Sequence, residues 1–340
     1  MTTIKDIAAM TGVSPTTVAN VIHGRVGKVS KETQDKVNKA LKETNYTAHM
    51  GGRLLAKHGS KIIGVIIQDS TAVTDHVYDN PYQGEFLQAV ERSISDAGYF
   101  MMFRRISTVE EGLRLVEMWN LEGLIISGSH IKEVEVWREK LNVPVVFLDM
   151  YQQGKQLSQM NVGIDDYHGG CLAGKYLMKN GHKRVAFLAQ AGEEEIIEGL
   201  DAVRGQGFID TFVSGQCDAK WLPVPAMRKD YHTYLDDFIA TKIQSYTALF
   251  FASDLLAVQA ISKFHEAKIG IPSELSIISF DGTLLSQYAV PRLTVIKQNV
   301  IAKANAAIQL VLQAIKEGKN NLSSVSIPVE LIIGESVTKI

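Results

Sequence analysis

Apolar residues recur at helical spacing in three short stretches near the start of the chain, within residues 4–8, 18–22 and 37–41. Intervals of three and four residues place each set on one face of a helix. Thr3 and Asp6 are spaced as a capping box, Ser14 precedes Pro15 at the start of the second helix, and a third helix follows Ser30. The pattern predicts a small all-α head whose first two helices form a helix-turn-helix.

Beyond residue 60 the pattern changes to strands that alternate with helices. Strands are predicted at 61–68, 100–104, 123–127, 143–148, 184–189, 247–252 and 276–281, and helices at 83–97, from 109, at 172–179 and at 255–265. This alternation predicts an α/β body of parallel, doubly wound sheets, and its restart near residue 162 predicts two lobes. Ligands of such sheets bind beyond the carboxyl ends of the strands, where Asp69, Ser127, Asp149 and Asp281 fall.

Composition narrows the class of protein. The 340 residues are 46% hydrophobic and 21% charged, which favours two or more folded domains over disorder. Cys171 and Cys217 form no metal-binding spacing, no apolar run approaches the ~18 residues of a membrane span, and the N-terminus does not resemble a signal peptide. We therefore expect a cytoplasmic protein without a membrane partner.

Charge is distributed unevenly along the chain. Residues 1–60 hold nine Lys/Arg and four Asp/Glu, whereas the remainder holds 26 basic and 33 acidic residues. A basic head on an acidic body indicates a polyanionic partner for the head, although charge alone favours a solvated helix face. The second helix would expose Thr16, Thr17 and Asn20, which can contact base edges. Together these features favour DNA over a protein partner.

Motifs that suggest catalysis or cofactors are incomplete. Residues 169–175 resemble a P-loop, but Tyr176 occupies the position of the magnesium-binding Ser/Thr, and Gly205 with Gly207 lacks the third glycine of a dinucleotide site. Asp165, Asp166 and His168 could hold a metal, but we interpret the two acids as caps at the end of a strand. We expect no enzyme, no catalytic residue, no metal and no cofactor.

The run TIKDIAAMTGVSPTTVANVIHG, followed by VSKETQDKVNKALKETNY, resembles the DNA-binding head of the lactose-repressor (LacI/GalR) family. The resemblance covers the whole chain and implies base-reading positions at Pro15, Thr16 and Asn20. The second reading position often carries Arg in the family, so Asn20 implies an uncommon operator. The DNA contacts implied are Thr3, Ser14, Pro15, Thr16, Thr17, Asn20, Lys28, Ser30, Thr33, Arg53 and Leu55.

Residues 47–60 connect the head to the body. The family resemblance implies a hinge helix that forms on DNA, with Leu55 inserted into the minor groove, where an apolar wedge unstacks a base step. Ala48 replaces a proline usual in the family, and Gly51 and Gly52 each cost ~1 kcal/mol relative to Ala in a helix. We predict a hinge that orders only on DNA; the alternative is a plain flexible linker.

The body resembles the family's two-lobed fold, similar to type I periplasmic sugar-binding proteins, through segments such as IGVIIQD, VVFLD, VRGQGF and IISFDG. The resemblance implies a head at 1–46, a hinge at 47–60, a first lobe at 61–161 plus 292–322, and a second lobe at 162–291 plus 323–340. It places Asp254 as a helix cap and Trp221 as either a sugar-stacking or a packing residue. The effector-binding residues implied are Asp69, Ser70, Tyr82, Ser127, Asp149, Arg204, Trp221, Ser253, Asp281 and Gln298.

The sequence thus predicts a transcription regulator, a repressor of a sugar-utilisation operon. The family resemblance implies a palindromic operator bound by a homodimer, and the chain has no C-terminal heptad repeat for a tetramer. A small-molecule effector, a sugar or sugar phosphate, would act in the interlobe cleft. One alternative is a regulator that depends on a corepressor protein, which a basic groove on the first lobe would indicate. The other is a sugar-modifying enzyme or transport receptor. The effector, the operator and the sign of regulation stay open.

Overall fold

The computed structural model describes residues 2–22, 24–25, 27, 29–44, 46, 59–68, 77–191, 199–213 and 217–340. The chain divides into two compact units, residues 1–60 and residues 61–340. The predicted hinge helix, with Arg53 and Leu55, lies outside the described residues. Within the part of the chain that is described, no helix is long and apolar enough to cross a membrane.

The described residues of the first unit form three helices: α1 (Ile4–Thr11), α2 (Pro15–Ile22) and α3 (Lys31–Glu43). The sequence predicted each of their starts. The Thr3 hydroxyl accepts a hydrogen bond from the Asp6 amide in a capping box. The Ser30 hydroxyl accepts one from the Thr33 amide at the start of α3. The helices enclose a small core of Ile7, Ala8, Val18, Val21, Val37 and Ala40. Helix α2 is thereby fixed by its apolar face, and its opposite face stays exposed.

The second unit is built from two six-stranded sheets covered by helices. The body strands are β1 (Ile62–Gln68), β2 (Phe100–Ile106), β3 (Gly123–Ser127), β4 (Val145–Leu148), β5 (Tyr151–Gln152), β6 (Lys155–Gln156), β7 (Asn161–Ile164), β8 (Arg184–Gln190), β9 (Asp218–Val224), β10 (Ala248–Phe251), β11 (Ser276–Asp281), β12 (Thr294–Gln298), β13 (Val325–Ile327) and β14 (Val329–Ile332). The body helices are α4 (Pro81–Asp96), α5 (Val109–Trp119), α6 (Val134–Lys140), α7 (Asp166–Lys179), α8 (Gly199–Val213), α9 (Arg228–Thr241), α10 (Asp254–Glu266), α11 (Leu284–Tyr288) and α12 (Val300–Glu317).

Strand order defines two lobes of the same architecture. The first sheet has the order β13-β7-β4-β3-β1-β2 and the second β14-β12-β11-β10-β8-β9. Within these two sheets the described pairs are parallel except β12 with β14, which is antiparallel. Strands β5 and β6 form a separate antiparallel pair. The central strands are buried along their whole length, as parallel strands with helices on both faces must be. The predicted doubly wound α/β body is confirmed.

Three strands lie in a different lobe from the one expected. Strands β7 and β13 were expected in the second lobe but pair within the first sheet, whereas β12 was expected in the first lobe but pairs with β11 in the second. The chain therefore crosses between lobes after residues 164, 298 and 327. A strand's lobe depends on its hydrogen-bonded neighbour, which the local pattern does not encode.

Glycines bring helices α7 and α8 into close contact. A Cβ on Gly170 would lie 2.0 Å from the Arg204 carbonyl oxygen, and a Cβ on Gly207 would lie 2.0 Å from the Tyr167 carbonyl oxygen. Both glycines belong to helix interiors, so the P-loop-like and dinucleotide-like spacings serve helix packing. This contact positions Arg204 on α8 directly beside Asp166 on α7.

Candidate DNA-reading head and effector cleft

The exposed face of α2 carries the residues that the sequence predicted to read bases. Pro15 and Thr16 are exposed, and Thr17 and Asn20 are half-buried on the side away from the head's core. An asparagine amide can form two hydrogen bonds with an adenine edge, and a threonine offers a hydroxyl and a methyl group. The geometry leaves these groups available at the helix surface, as DNA recognition requires.

Hydroxyl groups cluster at the N-termini of α2 and α3. The Ser14 and Thr17 hydroxyls lie 2.9 Å apart, and those of Ser30 and Thr33 lie 2.8 Å apart. Each serine oxygen also accepts a backbone N–H from the first turn of its helix. Helix N-termini with such donors are suited to phosphate binding, which sets the register of a protein on DNA.

Thr3 has a structural partner of its own. Its hydroxyl donates to the Asp6 carboxylate over 2.8 Å and accepts the Asp6 amide, so both of its hydrogen-bonding roles serve the cap of α1. The backbone bond from Thr3 is the main reason that the pKa of Asp6 is lowered. The partner of Thr3 is a carboxylate, which repels phosphate, whereas Ser14 and Ser30 bond to threonine hydroxyls. A direct DNA contact from Thr3 therefore has less support than one from either serine. Lys28 lies outside the described residues.

In the body, three residues form what we call the first-lobe wall of the interlobe cleft: Tyr82, Asp149 and Lys303. The Lys303 ammonium donates to the Tyr82 hydroxyl over 2.9 Å and to Oδ2 of Asp149. Burial opposes the charge of Lys303, but the nearby Asp149 carboxylate raises its pKa overall, and burial raises the pKa of Tyr82 to about 12. The Oδ1 atom of Asp149 has no hydrogen-bond partner among the described residues.

Arg204 is the centre of the second-lobe wall, which also contains Asp166, Asp201, Asp254, Asp281 and Gln298. Its Nε and Nη2 donate to Oδ1 of Asp166 over 3.1 and 2.7 Å. Its Nη1 donates to Asp201 over 3.1 Å and to the Ala252 carbonyl over 2.6 Å. The guanidinium also lies 3.5 Å from the ring centroid of Phe280. Arg204, expected to clamp an effector, is therefore held by protein groups on several sides.

The remaining acids of the second-lobe wall are buried close together. Asp254 was expected to cap α10, but Ser253 is the cap, and the Asp254 carboxylate instead accepts bonds from Ser279 and Thr283. Asp254 is the first residue of α10, and its side chain points to β11 and the residues after it rather than to the first turn of its own helix. Burial raises the pKa of Asp254 to about 6 and that of Asp281 well above its ordinary value.

Gln298 lies beside Asp281 at the carboxyl ends of β11 and β12. Its Nε2 donates to Oδ1 of Asp281 over 2.7 Å, and it is only 5% exposed. Its Oε1 has no partner among the described residues. The second-lobe wall thus presents an unpaired buried acceptor, as the first-lobe wall does at Asp149.

Other predicted effector residues lie at the edges of this arrangement. Ser127 ends β3 and is half-buried, and the Ser253 hydroxyl accepts the Leu256 amide as the cap of α10. Trp221 packs edge-on against Phe187 and against the backbone of Gly205. Both contacts suit the packing role, which was one of the two roles considered for Trp221. Asp69 and Ser70 lie outside the described residues.

Hydrogen-bonded contacts join the lobes across the cleft. The Tyr151 hydroxyl of the first lobe donates to Oδ2 of Asp166 over 2.6 Å. Near the rim, Arg228 of α9 forms an exposed ion pair with Asp79 over 2.6 Å. Asp166 therefore receives Arg204 on one oxygen and a tyrosine from the opposite lobe on the other, which links the second-lobe wall to the position of the first lobe.

Sequence reasoning missed Lys303, Tyr151 and the roles of Asp166 and Asp201. Lys303 had a detectable signal, because it interrupts the apolar stripe of α12 and is buried with it. Asp166 had been interpreted as a helix cap, but Asp165 is the cap, and Asp166 turns inward to Arg204. Tyr151 had no signal in the sequence, because only the folded chain brings it to Asp166. Within the described residues, no group of three or more His, Cys, Asp or Glu side chains could hold a metal ion.

A helix-turn-helix head, followed by a two-lobed body with polar residues at its strand ends, defines the class of ligand-binding transcription regulators. Three family models match the chain in succession. Residues 3–49 match the model described as bacterial regulatory proteins of the lacI family. Residues 60–224 match periplasmic binding proteins and the sugar binding domain of the LacI family, and residues 175–337 match a periplasmic binding protein-like domain. The chain therefore belongs to the LacI family and is a DNA-binding transcription regulator.

Individual proteins are similar to this chain over most or all of its length. An HTH-type transcriptional repressor PurR from Mannheimia succiniciproducens is 28% identical over 350 residues, which span 100% of both chains. A lac repressor dimer bound to operator and an anti-inducer has a TM-score of 0.84 at 22% identity, over 99% of both chains. A LacI family regulator from Enterococcus faecium with bound ribose has a TM-score of 0.69 at 21% identity, over 82% of this chain and 99% of that one. These structures support the fold.

Proposed function

We propose that this regulator represses transcription as a homodimer on a palindromic operator and that a small sugar in the interlobe cleft controls its affinity for DNA. The observation that carries the effector part is the pair of buried, unpaired acceptors at Asp149 and Gln298. A buried acceptor without a partner costs about 1–3 kcal/mol, so a ligand that donates to both sites would stabilise the closed lobes. Sugar hydroxyls are such donors.

The dimer follows from the size of the head. One helix-turn-helix buries little DNA surface, and modules of this kind reach specificity by placing two heads on two half-sites. A change in lobe angle on effector binding would alter the distance between the heads, and the coupling equals the difference in effector affinity between the two states. The solved relative with bound ribose supports a sugar as the effector.

A protein corepressor has less support from the first lobe. The groove between α4 and α12 has a volume of about 460 Å³, and the charged residues that line it are Glu85, Arg92 and Asp96. A basic groove was the feature expected to favour that alternative, and this one carries more acid than base. The sugar-gated regulator is therefore the function that the described residues support best.

Selection of operators from a random DNA pool, with and without a panel of sugars, tests the proposal. We expect a palindrome to be enriched and its affinity to change with one sugar. Asn20→Ala should relax preference at one base position by about 1–3 kcal/mol, whereas Ser30→Ala should weaken all sequences alike. The absence of any enriched sequence would contradict operator binding, and a response only to an added protein would contradict the sugar effector.

A further inference from the structure

The charged side chains on the two walls of the cleft are unequal in number. The walls carry two cations, Arg204 and Lys303, and five carboxyl groups, on Asp149, Asp166, Asp201, Asp254 and Asp281. The two cations are almost fully buried, with side-chain exposures of 5% and 2%. The cleft therefore has an excess of acid, and the question for a ligand is whether either cation can receive its anionic group.

Arg204 is occupied by the protein. Four of its N–H bonds go to Asp166, Asp201 and the Ala252 carbonyl, at distances between 2.6 and 3.1 Å. Two of these acceptors are carboxylates, so an approaching anion would meet their negative charge as well as the guanidinium. An arginine that recognises a phosphate or carboxylate ligand instead keeps two N–H groups of its guanidinium available for that ligand.

Lys303 is occupied in the same way. Its ammonium is bonded to the Asp149 carboxylate and to the Tyr82 hydroxyl. Among the described residues, this group leaves Oδ1 of Asp149 without a partner, and the second-lobe wall leaves Oε1 of Gln298; both atoms are acceptors. The free hydrogen-bonding capacity of both walls is therefore suited to a ligand that donates.

Cations at the rim of the cleft also face carboxylates. The rim cation Arg228 is paired with Asp79. Lys297, next to Gln298 on β12, lies near the Glu85 carboxylate of the first lobe and favours its charged form. Both of these rim cations therefore face a carboxylate.

We infer that the cleft selects an uncharged, hydrogen-bond-donating effector and rejects its phosphorylated or carboxylated counterparts. This inference rests on the proposed sugar-gated function and narrows its effector from sugars and sugar phosphates to free sugars. Like charges placed together across an interface weaken binding strongly, so we expect discrimination of about a hundredfold or more. The discrimination arises because both cations are already paired with carboxylates of the protein.

Thermal unfolding of the full-length protein with matched ligand pairs tests the inference. The pairs are ribose and ribose 5-phosphate, glucose and glucose 6-phosphate, and fructose and fructose 6-phosphate, with inorganic phosphate as a separate probe against sodium chloride of equal ionic strength. Stabilisation by a free sugar that its phosphate lacks would support the inference. Saturable stabilisation by phosphate, abolished by Lys303→Met, or stronger binding of a phosphorylated member, would overturn it.

Variants identify the origin of the discrimination. Asp149→Asn and, independently, Asp201→Asn each remove one carboxylate from a wall while keeping its shape, and the affinity ratio of free to phosphorylated sugar, measured at about pH 8, should fall about tenfold in each. Unchanged ratios in both folded variants would overturn the role of the acid excess. If no sugar stabilises the protein, the sugar effector proposed above fails, whereas the inorganic phosphate titration still decides whether the cleft binds anions.

Discussion

Lys303 shows how a single side chain combines an energetic cost with a specific role. It lies on the buried stripe of α12 with Val300, Ala304 and Ala307, where an apolar residue would pack without desolvating a charge. Its ammonium is retained there by Asp149 and Tyr82. A buried ion pair contributes little net stability but is costly to break, because removal of one partner leaves the other charged and unpaired.

We therefore expect Lys303→Met to lower the free energy of unfolding by about 3 kcal/mol. The double variant Lys303→Met with Asp149→Asn should recover most of that loss, because no buried charge then lacks a partner. Urea unfolding followed by circular dichroism measures both. Equal destabilisation in the single and double variants would mean that lost packing, rather than the unpaired carboxylate, causes the effect.

At the scale of elements, contact between α7 and α8 depends on residues without side chains. The backbone of each helix occupies the space above a glycine of the other, at Gly170 and Gly207. This close approach places Arg204 within reach of Asp166, so helix packing and the construction of the second-lobe wall depend on the same residues.

Gly207→Ala should destabilise the protein by at least 1–3 kcal/mol, because its Cβ would overlap the Tyr167 carbonyl oxygen and force the helices apart. Gly84→Ala is the matched control: Gly84 is an exposed glycine within α4, with open space at the Cβ position. That change should stabilise by roughly 0.5–1 kcal/mol, because it restricts the unfolded chain. Thermal unfolding of both variants is the measurement, and a loss of stability in Gly84→Ala matching that in Gly207→Ala would contradict the packing argument.

The C-terminal segment is attached through a buried histidine. His182 bonds through Nδ1 to the Thr247 hydroxyl and through Nε2 to the Thr338 carbonyl. Burial lowers its pKa from the ordinary 6.5, against the opposing effect of the Thr338 carbonyl. The folded protein thus keeps this ring neutral at a pH where the unfolded chain protonates it.

The contribution of His182 to stability should consequently fall as the pH drops below about 6.5, since this group then binds a proton preferentially in the unfolded state. His182→Gln lacks this group, so the stability difference between wild type and variant should shrink between about pH 8 and pH 5. Urea unfolding across that range measures the difference. A gap that is constant with pH would show that His182 titrates alike in both states.

The whole body depends on contacts that join its two lobes. The chain crosses between the sheets three times, and the Tyr151 hydroxyl adds a bond to Asp166 from the opposite lobe. Because Asp166 also holds Arg204, the relative position of the lobes is linked to the arrangement of the second-lobe wall. Effector binding can act on lobe closure through this connection.

Tyr151→Phe should lower the free energy of unfolding by about 2 kcal/mol, the effect of losing a hydrogen bond to a buried charged group. It should also increase the radius of gyration in small-angle X-ray scattering, because one of the bonds that keep the lobes together is gone. Tyr167→Phe is the control, since its hydroxyl bonds to Asp210 within the second lobe and at an exposed site. An equal change in scattering for both variants would argue against a role for Tyr151 in lobe closure.

Local pattern was sufficient for much of this molecule. The caps at Thr3, Ser14 and Ser30, the apolar stripes of the head and the alternation of strands and helices are short-range features, because capping and amphipathicity involve residues a few positions apart. Through them, and through the resemblance they carry, the sequence by itself determined the helix-turn-helix head, the α/β body and the family.

The tertiary structure decided which side chains meet and which lobe each crossing strand joins. Lys303 and Asp149 are 154 residues apart in sequence, and Arg204 and Asp166 are 38 apart. A periodic pattern reports which face of an element is buried but carries no information on what covers it. The occupation of both cleft cations by carboxylates, and hence the preference for an uncharged effector, emerges only when those faces are brought together.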